Sequence, residues 1–358
     1  MLRDIYLQAL TQCEPQRLIR AVLRDDMPRD VVAIGKCAGA LLDGIGEHAR
    51  DAFVAVPAGY RLPVGVRRQS RRFQSGADAP HSEVAIGGHP DYTEASFEAG
   101  EQLLRFVDSH DDLLVIVSGG GSACVEVPAP GFSREQLTQE NARLIASGLP
   151  ISEINARRKQ MSAIKGGKLA QRVRGRCVTL VYSDVSTGAL GDVASGPTIP
   201  GSDDVHLIAD NSTLVRAAAA LMPHAHVIES QVEMDVEDAA RLLVAQWKEH
   251  DEVIAGGETT VVKRGDGKGG RCIELAIRIA LRAKNIDGEI LCGSSDGVDG
   301  NSGVAGVAIR LPVTFDRAAA ERELAGSNSL AVAEAIGEPI IIPQAGNNLR
   351  DLYLLARS

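Results

Sequence analysis

Short apolar runs alternate along the chain with longer stretches in which apolar positions recur every three or four residues. The runs at 31–34, 52–56, 83–86, 113–117 and 177–182 are strand candidates, and 113–117 is the clearest buried one. Between them, 37–49 carries apolar residues at 37, 41, 42 and 45. The segment after Pro90 sets Leu103, Leu104 and Val107 on one helical face. Ser133 with Gln136 three positions on forms a capping box that opens a helix to Ser147. Beyond residue 200 the pattern predicts helices at 211–222, 236–250 and 271–284, near 317–325 and 329–336, and a last one near 348–356. Strands are expected there at 226–228, 252–255, 259–263 and 289–292. Such alternation builds a mostly parallel sheet covered by helices on both faces. No internal repeat or low-complexity linker interrupts it.

At 358 residues the chain outgrows a single core, which stops growing near roughly 250–300 residues. Two domains are expected, 1–228 and 229–358, with the last helix free to pack back on the first. A formal net charge of -9 repels nucleic acid and anionic lipid, so neither is an expected partner. One local exception is the run Arg61, Arg67, Arg68, Arg71 and Arg72, which reads as a solvated loop or edge strand, or else as an anion-binding flap. The six cysteines form no CxxC pair and read as small core residues in a reducing compartment. The first twenty residues have no apolar signal core, and no apolar run approaches a membrane span, so the cytoplasm is the expected location.

The unusual loops follow strands one after another: Gly35-Lys36, 87–90, 118–122, 183–185, 256–258 and 294–300. In a parallel sheet these loops meet on one rim, beyond the carboxyl ends where ligands bind. Ser118-Gly119-Gly120-Gly121-Ser122 can turn several backbone amides toward one anion, with two hydroxyls as further donors; a plain tight turn is the alternative. Lys36 can neutralise a phosphate or carboxylate, or be an ordinary solvated lysine. The segment 154–169 packs Arg157, Arg158, Lys159, Lys165 and Lys168 around Gly166-Gly167 and reads as anion recognition or as a solvated basic face. Asp184, Asp296 and Asp299 at strand ends could hold Mg²⁺ with substrate phosphates, accept a hydroxyl proton, or serve only as turn residues. The stretch 265–270 formally matches G-x-G-x-x-G. Its preceding strand ends in Lys263-Arg264 and its Asp-Gly suits a hairpin tip, which speaks against a dinucleotide site. Arg271 opens the next helix as a cation that could face a phosphate. No Walker A loop, protein-kinase catalytic loop, G-x-S-x-G elbow or histidine metal spacing is present.

Taken together, AIGKCAGA (33–40), GGHPDYTEA (87–95), VSGGGSACVEVP (117–128), INARRKQMSAIKGGKLA (154–170), SDV (183–185), ASGPTIP (194–200), GGETTV (256–261), GKGGRCIELA (267–276), SDGVDG (295–300), SNS (327–329) and AGNNLRDL (345–352) resemble the glycerate 2-kinase family with a MOFRL C-terminal domain. The blocks run in the family's order over nearly the whole chain. The resemblance implies a two-domain α/β kinase, with a larger Rossmann-like parallel-sheet domain, a smaller MOFRL α/β domain and the active site in the cleft between them. It implies transfer of the ATP γ-phosphate to the 2-hydroxyl of glycerate with Mg²⁺, and leaves a homodimer open. It further implies that Lys36 and Arg271 are phosphate and transition-state cations. Ser118–Ser122 would be an anion cradle, and Asn155, Arg158, Lys159 and Lys165, with Glu258, would bind substrate or phosphate. Asp184 would be base or magnesium partner, with Asp296 as a second metal candidate. The chain departs from the family pattern at Ser186-Thr187-Gly188-Ala189, Gln160, Asn301-Ser302-Gly303 and Arg350. Those departures keep open another hydroxy acid or sugar acid as acceptor, or a nucleotide-binding protein without turnover. An NAD-dependent reductase of hydroxypyruvate is a further rival, disfavoured by the poor dinucleotide fingerprint.

Overall fold

The computed structural model describes residues 1–60, 62, 81–149, 151–186, 188–343 and 346–358. The arginine run expected at 61–72 lies outside them. The chain divides into two compact units, Glu14–Asp210 and a second made of Met1–Cys13 with Asn211–Ser358. The division of these compact units falls between Asp210 and Asn211. The reason is the helix Asn211–Leu221, which buries Leu214, Val215 and Ala218 in the second unit.

The Glu14–Asp210 unit is built on six strands: β1 (Asp30–Ile34), β2 (Asp51–Pro57), β3 (His81–Gly87), β4 (Leu113–Ser118), β5 (Cys177–Tyr182) and β6 (Asp204–Ala209). They lie in the order β3-β2-β1-β4-β5-β6, and every pairing is parallel. β1, β4 and β5 are buried at every position, as strands covered on both faces must be, and they are nearly all apolar. β6 at one edge leaves Val205 and Leu207 exposed. The strand order reverses between β1 and β4. At such a reversal the crossovers leave to opposite faces of the sheet, and a crevice opens beyond the strand ends. The helix Glu94–Ser109 starts on Thr93, capped by reciprocal Thr93–Ser96 bonds, and Ser133 caps Arg134–Ala146 with Gln136 as expected.

The second unit carries β7 (His226–Val227), β8 (Glu252–Gly257), β9 (Gly288–Ser294), β10 (Gly306–Leu311), β11 (Glu338–Ile340) and β12 (Asp351–Arg357), in the order β11-β10-β9-β12-β8-β7. This sheet is mostly antiparallel; only β7 and β8 pair in parallel. The expectation of a mostly parallel sheet therefore holds for the first unit and not for this one. Because β12 runs against both β8 and β9, the ends of β8 and β9 and the start of β12 still share one edge. Asp351 stands opposite Gly257 on one side and Ser294 on the other. The residues expected as a last helix near 348–356 form β12 instead. Of the expected strand 259–263, only Thr260 pairs, in a single bridge to Asp235. The helix Leu2–Gln12 completes this unit. Its buried Tyr6 fits against Gly293, where no side chain obstructs it, and donates from its hydroxyl to the Ser294 carbonyl at 2.7 Å.

Candidate active site

At the strand reversal the two loops following β1 and β4 are stitched together. The Lys36 amide donates to the Gly119 carbonyl at 2.8 Å and the Cys37 amide to Ser118 Oγ at 3.1 Å. Ser118 Oγ donates in turn to the Ile34 carbonyl at 3.2 Å. The Ser118 hydroxyl therefore fastens two strand ends, rather than serving as the ligand donor expected of it. Gly120 adopts φ +77°, the left-handed region glycine occupies at little cost. The Lys36 stem crosses it so closely that a β-carbon there would lie 2.8 Å from Lys36 Cγ. Gly121–Cys124 then forms a single short helical turn, whose leading amides have no acceptor inside it. The Lys36 ammonium stands 5.8 Å from the Tyr60 ring centre.

Asp184, half-exposed after β5, presses its carboxylate on Gly119, so that a β-carbon there would collide with it. Lys36, the Gly119–Gly121 turn and Asp184 are thus brought together. Gly119→Ala should drive the Asp184 carboxylate off the turn. We expect a loss of turnover of about tenfold or more with about 1–3 kcal/mol of destabilisation, read from kcat and the denaturant midpoint.

The remaining cations of this unit divide. Ser122 Oγ meets Ser195 Oγ at 2.8 Å, and Ser195 donates to Asn155 Oδ1 at 3.1 Å, so Asn155 buttresses the glycine turn from inside. Lys159 donates to Asp192 at 3.0 Å and Arg158 to Asn141 Oδ1 at 2.9 Å. Lys165, expected to hold substrate, is buried and ion-paired with Glu126, and lies 3.2 Å from the Tyr92 hydroxyl. Burial, opposed by Glu126, lowers its pKa. The sequence reading missed His89. Burial first, then the charges of Lys36 and Arg158, lowers its pKa and favours a neutral imidazole. The only signal for it was its place in the Gly87–Pro90 loop.

In the second unit the helix Arg271–Arg282 places Arg271 at its first position. Its guanidinium grips buried Asp351 with two bonds, at 2.7 and 3.0 Å, and meets Glu258 at 3.1 Å. Burial works against the Arg271 charge, but Asp351 and Glu258 outweigh it and its pKa is raised. Glu258 also accepts from Arg350 Nε at 3.1 Å, and Arg350 pairs with Glu233. Arg350 holds φ +64°. Asparagine tolerates that conformation better than arginine does. Asp296 accepts from Ser294 Oγ and from the Val298 amide at 3.0 and 3.1 Å, the bonds of a turn residue.

Asp299 is buried and accepts from the Cys272 and Ile273 amides at 3.1 and 2.9 Å. A carboxylate thus already fills the helix N-terminus that a dinucleotide's pyrophosphate would need. Burial, then neighbouring Asp351, pushes Asp299 up to about 7 from 3.8. Folded protein therefore holds this proton more tightly than unfolded chain. The stability contributed is largest below pH 3.8 and decays as pH rises to about 7. The unfolding free energy of wild type minus that of Asp299→Asn should shrink over that interval; a constant difference would show that Asp299 does not titrate there. Asp299→Ala should cost about 0.5–2 kcal/mol as a lost cap.

Among the described residues, one group of three could ligate a metal: Asp30, Asp51 and His110. Asp30 and Asp51 begin β1 and β2, at the sheet end opposite the glycine turn, and Asp30 is already paired with Arg50. No described helix is long and apolar enough to cross a membrane.

The fold is α/β, with Lys36 beside a glycine turn in one unit and Arg271 at a helix start in the other, and comparison with known proteins supplies the family. A family model described as a domain of unknown function (DUF4147) matches residues 1–229, and the MOFRL family model matches 252–351. The D-glycerate 2-kinase of Thermotoga maritima is 27% identical, over 98% of this chain and 96% of that protein. The glycerate 2-kinase of Sulfurisphaera tokodaii is 30% identical, over 77% and 80% respectively. The crystal structure of the Thermotoga maritima glycerate kinase superposes with a TM-score of 0.83 at 26% identity, covering 99% of this chain and 98% of that one. The chain belongs to the glycerate 2-kinase family of the MOFRL type.

Proposed function

We propose that the protein transfers the γ-phosphoryl group of ATP to the 2-hydroxyl of glycerate, giving 2-phosphoglycerate. The observation that carries this reading is the convergence of Lys36, the Gly119–Gly121 amides and Asp184 at the reversal of strand order. Phosphoryl transfer needs little covalent chemistry from a protein. It needs cations and amides fixed around the moving group and an acceptor held in line. Lys36 and the turn amides neutralise phosphate oxygens in this scheme. Asp184 takes the proton of the acceptor hydroxyl, a contribution of typically ~10²–10⁴-fold. Arg158 and Lys159 hold the acceptor's carboxylate, and in the second unit Arg271, held charged by Asp351 and Glu258, is a cation suited to phosphate.

Mg²⁺ fits the residues present: the half-exposed Asp184 carboxylate beside the amide turn is the hard oxygen donor such an ion takes together with phosphate oxygens. Asp296, its Oδ1 engaged within its own turn, is the weaker candidate. When bound, the ion supplies charge neutralisation on the phosphates. The deciding measurement is ADP release with ATP and Mg²⁺ against glycerate and a panel of related hydroxy and sugar acids. Turnover with glycerate is expected, and its absence with every acceptor would leave only nucleotide binding. Turnover greater with a different acid would move the assignment to that acceptor.

A further inference from the structure

Beside Arg271 the second unit has a half-open cavity of about 420 Å³. Its surface is mainly apolar, with Val261 on one wall and Lys263, Asn301 and Ser329 at polar points around it. Thr259 also lines it. That residue is 2% exposed, and its hydroxyl is buried with no partner. A buried hydroxyl left unsatisfied is costly, and such groups call for an explanation. The wall itself is firmly built: Asn301 accepts from the Gly269 amide at 2.8 Å and donates to the Gly267 carbonyl at 3.1 Å, and Ser329 accepts from the Gly270 amide at 3.3 Å.

We propose that this cavity takes the nucleoside portion of the nucleotide, with its phosphates directed to Arg271 and Lys263. The inference rests on the kinase reading given above and deepens it. Three features select a nucleoside over the acceptor acid. Glycerate is a small anion with almost no apolar surface, whereas the cavity falls in the size range of sites for drug-sized ligands, about 300–1,000 Å³. Apolar walls with a few placed polar groups suit a planar base and ribose. Asp299 closes the adjacent helix N-terminus to phosphate, which leaves Lys263 and Arg271, the latter paired with Asp351 and Glu258, as the cations on a lining that also holds Glu274.

The test uses Thr259→Val, which keeps the side chain's shape, and Lys263→Glu on the exposed rim. Calorimetry with ADP and the full chain measures nucleotide binding independently of any acceptor, and steady-state kinetics separates KM for ATP from KM for glycerate. Thr259→Val should be at least as stable to heat as wild type, because it deletes an unsatisfied hydroxyl. It should bind ADP roughly three- to tenfold more weakly, the worth of one hydrogen bond. Lys263→Glu should weaken ADP at least tenfold. KM for ATP should rise by the same factors while KM for glycerate stays put. Unchanged ADP affinity in both variants overturns the nucleoside site even if the wild type phosphorylates glycerate. Weakened ADP binding in a wild-type background that turns over no glycerate upholds the site and removes the acceptor assignment instead. A rise in KM for glycerate alone would also overturn the proposal, by giving the cavity to the acid.

Discussion

Lys36→Ala lowers kcat for glycerate phosphorylation by about 10²–10³-fold while leaving the unfolding midpoint close to that of wild type. The two halves of this expectation have separate causes. The lysine stem lies over Gly120 and its ammonium stands 5.8 Å from the Tyr60 ring centre, so truncation removes a positive charge from beside the turn where phosphate charge is proposed to develop. The bond that fixes the turn is made by the backbone amide of residue 36 to Gly119, and the substitution retains it. Lys36→Arg should recover only part of the rate, because a planar fork does not reproduce a compact point charge at the same spot. Turnover near that of wild type in the alanine variant would detach Lys36 from the chemistry.

Lys165→Ala should destabilise the Glu14–Asp210 unit by about 3–5 kcal/mol, the usual result of leaving one partner of a buried ion pair alone. Lys165 and Glu126 are both 1% exposed, and Glu126 is further bound by Ser162 Oγ at 2.5 Å. Replacing both partners by apolar residues of similar size, Lys165→Met with Glu126→Leu, should restore much of the loss. The double variant also decides the role of the lysine. Retained turnover in a refolded double variant shows that Lys165 supports the site from beneath, whereas loss of turnover with normal stability returns it to the substrate. Denaturant unfolding with kinetics on the same samples gives both readings.

How much of this was legible follows from the kind of signal each element carries. β1, β2, β4 and β5 were readable because buried parallel strands are short apolar runs bounded by turn residues. The loop after each was readable because glycine, serine and aspartate at a strand end have few structural reasons to be together. β12 was misread because its apolar run is buried on both faces and shows no alternation, and such a run cannot be told from a buried helix segment by period alone. The antiparallel course of the second sheet was hidden for the same reason: alternation of strand and helix fixes neither strand direction nor order. At the candidate site, the sequence put Lys36 and the glycine turn each at a strand end, while their convergence comes from β1 and β4 being neighbours. The fate of individual side chains was not. Ser118 is consumed in stitching strands, Lys165 finds Glu126 thirty-nine positions away, and Arg271 finds Asp351 across eighty. Such partners are set by tertiary packing, which the spacing of residues along the chain does not encode.

The second unit is discontinuous, with its first helix at one end of the polypeptide and the remainder beginning at Asn211. On a ribosome, Leu2–Gln12 is made before the inserted unit, and the surfaces that receive it, Gly293 and the helix Asn211–Leu221 among them, are synthesised after that unit. The inserted Glu14–Asp210 unit has all its strand pairings internal and can close meanwhile. Docking of Leu2–Gln12 therefore waits for residues made after the inserted unit, and until it occurs a nascent chain must carry an undocked helix with Tyr6 on its apolar side.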